Sequence, residues 1–249
     1  MKLRKTITAI GAALLIVAYF VASQPITPRL ALVSSLSVII FALPSYWTVV
    51  KYCGKKRGLL LLAALGSYAL IIESLAIHTG FPYGNFTYTD VLGNKIFGLT
   101  PWTVAFAYPP ILLLTYWYAR QRHTNKWQIW FSTAFGAMLI DMVLDPAAVR
   151  LGFWHWNKPG FFYGVPLINF LGWLLTASVG GVLLHYLWGH KNLPTPALAY
   201  SGLAILWFWT TVNFWLQQWI PAAIGGLLGI VLLILLFVDK IEATRKENA

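Results

Sequence analysis

A polytopic bundle of transmembrane helices is the fold class this sequence predicts, on three observations. Hydrophobic residues make up 59% of the 249-residue chain and charged residues only 10%, against about 25% charged in a soluble domain. The apolar residues come in long runs, not in short alternating segments, which favours helices over a barrel. The basic residues fall between those runs and mostly on one side of them. A soluble fold could not bury so much apolar side chain, so lipid must solvate most of it.

A hydrocarbon core of about 30 Å asks for about 17–25 apolar residues per helix. About eight spans can be drawn, at 7–21, 30–50, 59–77, 102–119, 127–144, 165–187, 197–216 and 221–238. The first, with its basic start and Val21-Ala22-Ser23, could also be a cleaved signal segment, which would leave seven; Pro25 just beyond favours an uncleaved anchor. The last two are separated only by Gln217, Gln218, Trp219 and Ile220, so a tight helical hairpin is expected. Gly225 and Gly229 in the last span predict close helix packing. With no low-complexity linker, residues 1–249 read as one integral membrane domain.

Basic residues orient the spans. With the N-terminus inside, fourteen Lys and Arg fall in inner segments and four (Arg29, Lys95, Arg150 and Lys158) in outer ones. Both termini are therefore expected to be cytoplasmic, in a multi-pass protein of the cell membrane. The net charge of +11 is accounted for by this bias, and nucleic acid is not an expected partner. A single cysteine, Cys53, excludes an internal disulfide and a Cys-cluster metal site.

Only seven acidic residues are present, and an ionised side chain within a membrane helix costs about 2.5–3.5 kcal/mol on insertion scales. Asp239, Glu242 and Glu247 read as solvated charge in the inner tail, and Asp90 lies in a loop. Glu73, Asp141 and Asp145 remain, all in the outer parts of spans. Asp141 and Asp145, at i and i+4, share one helix face. Two carboxyls that close, with little water, cannot both ionise readily, so the pair is expected to hold a proton between them. Structural roles compete: Asp141 could bond Arg150 or another helix, Asp145 before Pro146 could close a helix end, and Glu73 could make a buried hydrogen bond. His78 falls near the outer end of the third span and Asn169 at the start of the sixth. His155 reads as interfacial, while His123, His185 and His190 lie on the inner side, away from the acids. No metal and no cofactor are expected.

Aromatic residues crowd the two outer loops that flank these acids, within 73–102 and 141–173. Tyr83, Tyr88 and Trp102 belong to the first; Trp154, Trp156, Tyr163 and Trp173 belong to the second. An interfacial aromatic belt explains part of this. A groove for a long apolar molecule, with ring faces able to stabilise a carbocation, explains the clustering. Glycines and prolines make the loops shaped turns.

These residues carry a resemblance. Glu73, then Gly80-Phe81-Pro82-Tyr83-Gly84-Asn85-Phe86-Thr87-Tyr88 and Leu92-Gly93, resemble the first signature of the membrane-bound carotenoid hydratase family. Asp141, Asp145-Pro146, Gly152-Phe153-Trp154-His155-Trp156, Gly160, Tyr163-Gly164-Val165-Pro166-Leu167, Asn169-Phe170 and Gly172-Trp173 resemble the second. That family includes bisanhydrobacterioruberin hydratases and carotenoid 1,2-hydratases. The likeness covers about residues 65–180; Gly98-Leu99-Thr100-Pro101 departs from it in a loop that does not touch the acids.

The resemblance implies addition of water to the terminal double bond of an acyclic carotenoid, lycopene-like or a C50 polyene, giving a tertiary alcohol without a redox cofactor. Its implied partners are that carotenoid, water, membrane lipid and other membrane enzymes of the pathway. The residue roles follow from the physical reading. The Asp141/Asp145 pair supplies a proton. Glu73, with His78 and Asn169, orients water and takes its proton. Asn169, Trp154, Trp156, Tyr163, Tyr83, Tyr88, Trp102 and Trp173 form the substrate pocket. The competing readings are a carotenoid cyclase that begins with the same protonation, a proton-coupled transporter, and a carotenoid-binding protein without catalysis.

Overall fold

A computed structural model describes residues 2–188 and 195–247, with side chains over 11–188 and 195–238. His190 and Lys191 lie outside the described residues, as do the side chains of Asp239, Glu242 and Glu247. Eight helices are present: α1 (Lys2–Ser23), α2 (Ala31–Cys53), α3 (Lys55–Thr79), α4 (Val104–Arg122), α5 (Lys126–Arg150), α6 (Leu167–Trp188), α7 (Tyr200–Trp215) and α8 (Trp219–Glu247). The expected all-α polytopic bundle is what forms. Six of its helical segments are long and apolar enough to cross a membrane, while the apolar part of α1, Gly11–Ser23, is shorter.

The fourth expected span, α4, is not among those six. Its interior carries Pro109, Pro110 and several tyrosines, yet thirteen of its 19 residues are buried. It packs against α2, α3, α5, α6 and α7, so protein rather than lipid surrounds it. Neighbouring helices tolerate such a helix because they re-satisfy the backbone groups that its prolines free.

Small residues set the closest approaches. A Cβ on Gly225 of α8 would collide with Thr210 Oγ1 of α7, and one on Gly229 would lie 2.8 Å from the Trp207 ring. The expected α7–α8 hairpin therefore packs through both glycines. On α6, a Cβ at Gly172 would stand 2.6 Å from the Tyr83 ring, so this glycine lets the α3–α4 loop settle on the start of α6.

The two aromatic loops are not independent turns. β1 (Phe86–Tyr88) in the first pairs antiparallel with β4 (Trp154–Trp156) in the second, with Phe86 opposite Trp156 and Tyr88 opposite Trp154. A second small ribbon joins β2 (Lys95–Ile96) to β3 (Thr100–Pro101). Sequence patterning gives no sign of these strands, because three residues are too few for alternation to register. Their pairing ties the α3–α4 and α5–α6 connections together over one end of the bundle.

Candidate active site

Helices α3 and α5 bring the acids, and α6 their amide partner, together beneath that paired ribbon. Glu73 lies less than two turns before the end of α3, where Gly80 adopts the left-handed conformation that terminates a helix (φ 78°). Asp141 and Asp145 lie on one face of α5, and Asn169 is the third residue of α6. The fifth span was expected to end at 144; instead α5 continues through Pro146 to Arg150. Side chains beyond α5 support the backbone around that proline. Asn213 Nδ2 donates to the Val143 carbonyl at 2.6 Å, and Gln218 Nε2 donates to the Pro146 carbonyl at 3.2 Å. Asp145 is thus held within a helix and does not close one.

Asn169 clamps the carboxyl pair. Its side-chain amide donates to Asp141 Oδ2 at 2.8 Å and to Asp145 Oδ2 at 2.6 Å. The two carboxyl groups also contact each other. Oδ1 of Asp141 is buried with no hydrogen-bond donor. Glu73 accepts a hydrogen bond at 3.1 Å from the Tyr88 hydroxyl and lies within electrostatic reach of Asp145. Burial, and then the adjacent Glu73, push the Tyr88 phenol well above its ordinary range, so it remains a donor. All four core groups are shielded: Glu73 is 6% exposed, Asp141 0%, Asp145 4% and Asn169 2%. Among the described residues no cation stands within ion-pair distance of these carboxyls, and Arg150 is exposed. The ion pair Lys95–Asp90, at 2.8 Å, lies in the outer loop.

A cavity of about 490 Å³ ends at this group. Glu73, Asp145 and Asn169 line it, and Asp141 stands behind them. Tyr83, Tyr88, Trp154, Trp156 and Trp173 supply much of the wall around the acids. Their rings are fixed by contact. Tyr88 meets Trp154 edge-on at 5.5 Å, Phe86 meets Trp156 at 5.8 Å, and Trp156 Nε1 donates to the Tyr83 carbonyl at 2.9 Å. Tyr83 reaches Thr176 Oγ1 at 2.9 Å through its hydroxyl. The arrangement offers three carboxyl groups, one of them bonded to a phenol, and aromatic faces at the closed end of an apolar slot.

Several expected members do not join it. His78 is exposed in the last turn of α3. It follows Glu73 by five residues, which turns it about 140° away around the helix. Tyr163 lies in the tight turn before α6, half-buried against Phe162 with a positive φ of 53°, outside the cavity wall. Trp102 packs edge-on against Phe106 at 5.8 Å and also stands outside. His155 is exposed on the strand face away from the pocket, as its interfacial reading anticipated. Conversely, hydrophobic patterning singles out neither Tyr108 of α4, which stacks on Trp173 at 5.1 Å, nor Trp209 of α7, yet both line the cavity. Each sits in an apolar span whose every face is hydrophobic, so periodicity carries no signal there.

The family described as carotenoid biosynthesis protein matches residues 29–232. The chain is 32% identical over 202 residues to a bisanhydrobacterioruberin hydratase of Haloarcula japonica, an alignment covering 78% of this chain and 68% of that protein. No solved structure matches it. A match spanning most of the length, over the helices that carry the acids, their asparagine clamp and both aromatic loops, means that the chain belongs to the carotenoid biosynthesis protein family.

Proposed function

We propose that this protein is a carotenoid hydratase that adds water to the terminal double bond of an acyclic carotenoid end. One observation carries the reading: a buried, cation-free cluster of Glu73, Asp141 and Asp145 sits at the closed end of an aromatic-walled apolar cavity. The relative named as a hydratase supports it.

An isolated trisubstituted alkene is a weak base, so the first step needs a positioned acid. Asp145, which lines the cavity, gives the proton of the carboxyl pair to the less substituted carbon. The π electrons form the new C–H bond and leave a tertiary cation. Trp154, Trp156 and Tyr88 face that cation with their ring quadrupoles. Water bound at Glu73 adds its oxygen to the cation, and Glu73 takes the proton that the water loses. Returning that proton to the aspartate pair, which lies within electrostatic reach, restores the starting state. Asn169 holds both aspartates from the cavity wall, and Asp141 stands behind Asp145 out of contact with the substrate. Carbon, hydrogen and oxygen balance, and oxidation state is conserved.

Residues 1–249 act as one membrane domain in the cell membrane, with termini cytoplasmic and the site near the outer surface. There, water reaches the end group while the polyene stays in lipid. Other membrane enzymes of the same pathway are the natural suppliers of the substrate. Expression in a lycopene-producing host, followed by mass analysis of the pigments, tests the reading. The expected product carries the mass of one added water per reacted end. A product of unchanged mass with cyclic ends would mean cyclisation, and unchanged lycopene would remove the hydratase reading.

A further inference from the structure

The cavity does not stop at the aromatic loops. Two of its longest walls are helix faces that nothing in the chemistry above requires. On α1 and just past its end the lining residues are Val17, Phe20, Val21 and Gln24, spaced i, i+3, i+4 and i+7. On α2 they include Val33, Ser34, Ser37, Val38 and Phe41, again on one helical face. Stripes with this spacing ordinarily pack on each other. Here the cavity runs between them. α1 rests along α7, and its contact with α2, its neighbour in sequence, is too slight to make an interface among the described residues. α2 is fastened elsewhere: Ser35 Oγ donates to the Leu92 carbonyl in the first aromatic loop, and Ser45 Oγ donates to the Leu198 carbonyl.

Exposure shows which end is open. Val17, Phe20 and Val33 are 50%, 60% and 58% exposed, whereas Glu73 and Asp145 at the far end are nearly covered. The slot therefore opens sideways, toward the lipid, along the α1–α2 seam.

We infer that the α1–α2 seam is a lateral channel that admits a linear isoprenoid chain from the bilayer and holds its tail while the end group lies at the acids. The occupant follows from the lining and its continuity with the site: the walls are apolar, the slot is long, and it leads to the carboxyl cluster. This inference rests on the carotenoid reading for the identity of the end group. Because the mouth is open to lipid, the channel grips the segment next to the reacting end and leaves the remainder outside. The α1 wall lies outside the family match, which begins at residue 29.

Occupancy is measured apart from turnover. In a Cys53→Ser background, Ser34→Cys places a single thiol in the seam. Leu32→Cys places one on the lipid-facing side of the same helix, where Leu32 is 70% exposed. The purified full-length protein in detergent is labelled with a maleimide, with and without lycopene. Lycopene is expected to slow labelling at Ser34→Cys several-fold and to leave Leu32→Cys unchanged. In the lycopene-producing host, Ser34→Trp, which fills the seam, is expected to lose at least tenfold in product, with Leu32→Trp, on the lipid-facing side, within twofold of wild type. Labelling unaffected by lycopene at both positions, or slowed equally at both, overturns the channel. So does full product formation by Ser34→Trp. Selective protection without any hydrated product in the wild type would keep the channel and remove the hydratase reading.

Discussion

The two ends of the bundle treat ionisable groups in opposite ways. At the end where the basic segments gather, Arg57 of α3 donates to the Leu187 and Trp188 carbonyls that finish α6, each at 2.9 Å. Arg120, buried in the last turns of α4, donates to the Tyr116 hydroxyl at 2.8 Å, and that hydroxyl meets His185 Nδ1 at 3.3 Å. Cations sit there beside helix C-termini, where the backbone dipole favours them. At the other end the ionisable groups are carboxyls, and they are met by an amide and a phenol. One oxygen of Asp141 has no donor. Buried polar groups in a protein are ordinarily satisfied. The basic end uses its cations to fasten helices; the acidic end leaves a carboxyl oxygen unmet behind a cavity, as a site that acts on a ligand does.

Substitution tests that division. The largest effect is expected from Asp145→Asn, with Asp141→Asn and Glu73→Gln in the same direction. Each removes a proton donor or acceptor, a change of about 10²–10⁴-fold in rate. Hydroxylated pigment in the lycopene-producing host should fall accordingly, while the protein stays in the membrane fraction at wild-type yield. Tyr88→Phe comes next. It removes one hydrogen bond to a carboxylate, about 1.5–3 kcal/mol, and so about ten- to a hundredfold in turnover. Smallest is Arg57→Met at the basic end. It should cost about 1 kcal/mol of stability, read as a lower Tm, with turnover per folded molecule unchanged. If Arg57→Met depressed turnover as much as Asp145→Asn, the contrast between fastening end and reacting end would collapse.

Much of this contrast is legible in the sequence. Charged residues are so rare in the spans that Glu73, Asp141 and Asp145 stood out against their surroundings, and the helical repeat alone put the aspartates on one face. Asn169 was visible as a polar residue opening an apolar segment. What could not be read shares a physical cause. His78 was grouped with Glu73 by closeness in the chain, whereas an offset of five residues carries it to the other side of α3. The β1–β4 pairing joins segments about seventy residues apart through three residues each, and no local pattern announces it. The channel faces of α1 and α2 are as apolar as the faces that meet lipid, so hydrophobicity cannot tell a wall from an outside. Helix α4 shows the same blindness: its span was legible, but its place at the centre of the bundle comes from packing.

The asparagine clamp also says something about how the protein is made. Ribosomes deliver α5 before α6, so the aspartate pair enters the bilayer before Asn169 exists to bind it, and the phenol of Tyr88 can close on Glu73 only once the first loop has folded over it. Until then three carboxyls sit in oil without their donors, at about 2.5–3.5 kcal/mol for each one ionised. Docking of α6 against α5 thus relieves the very burden that the reaction later exploits.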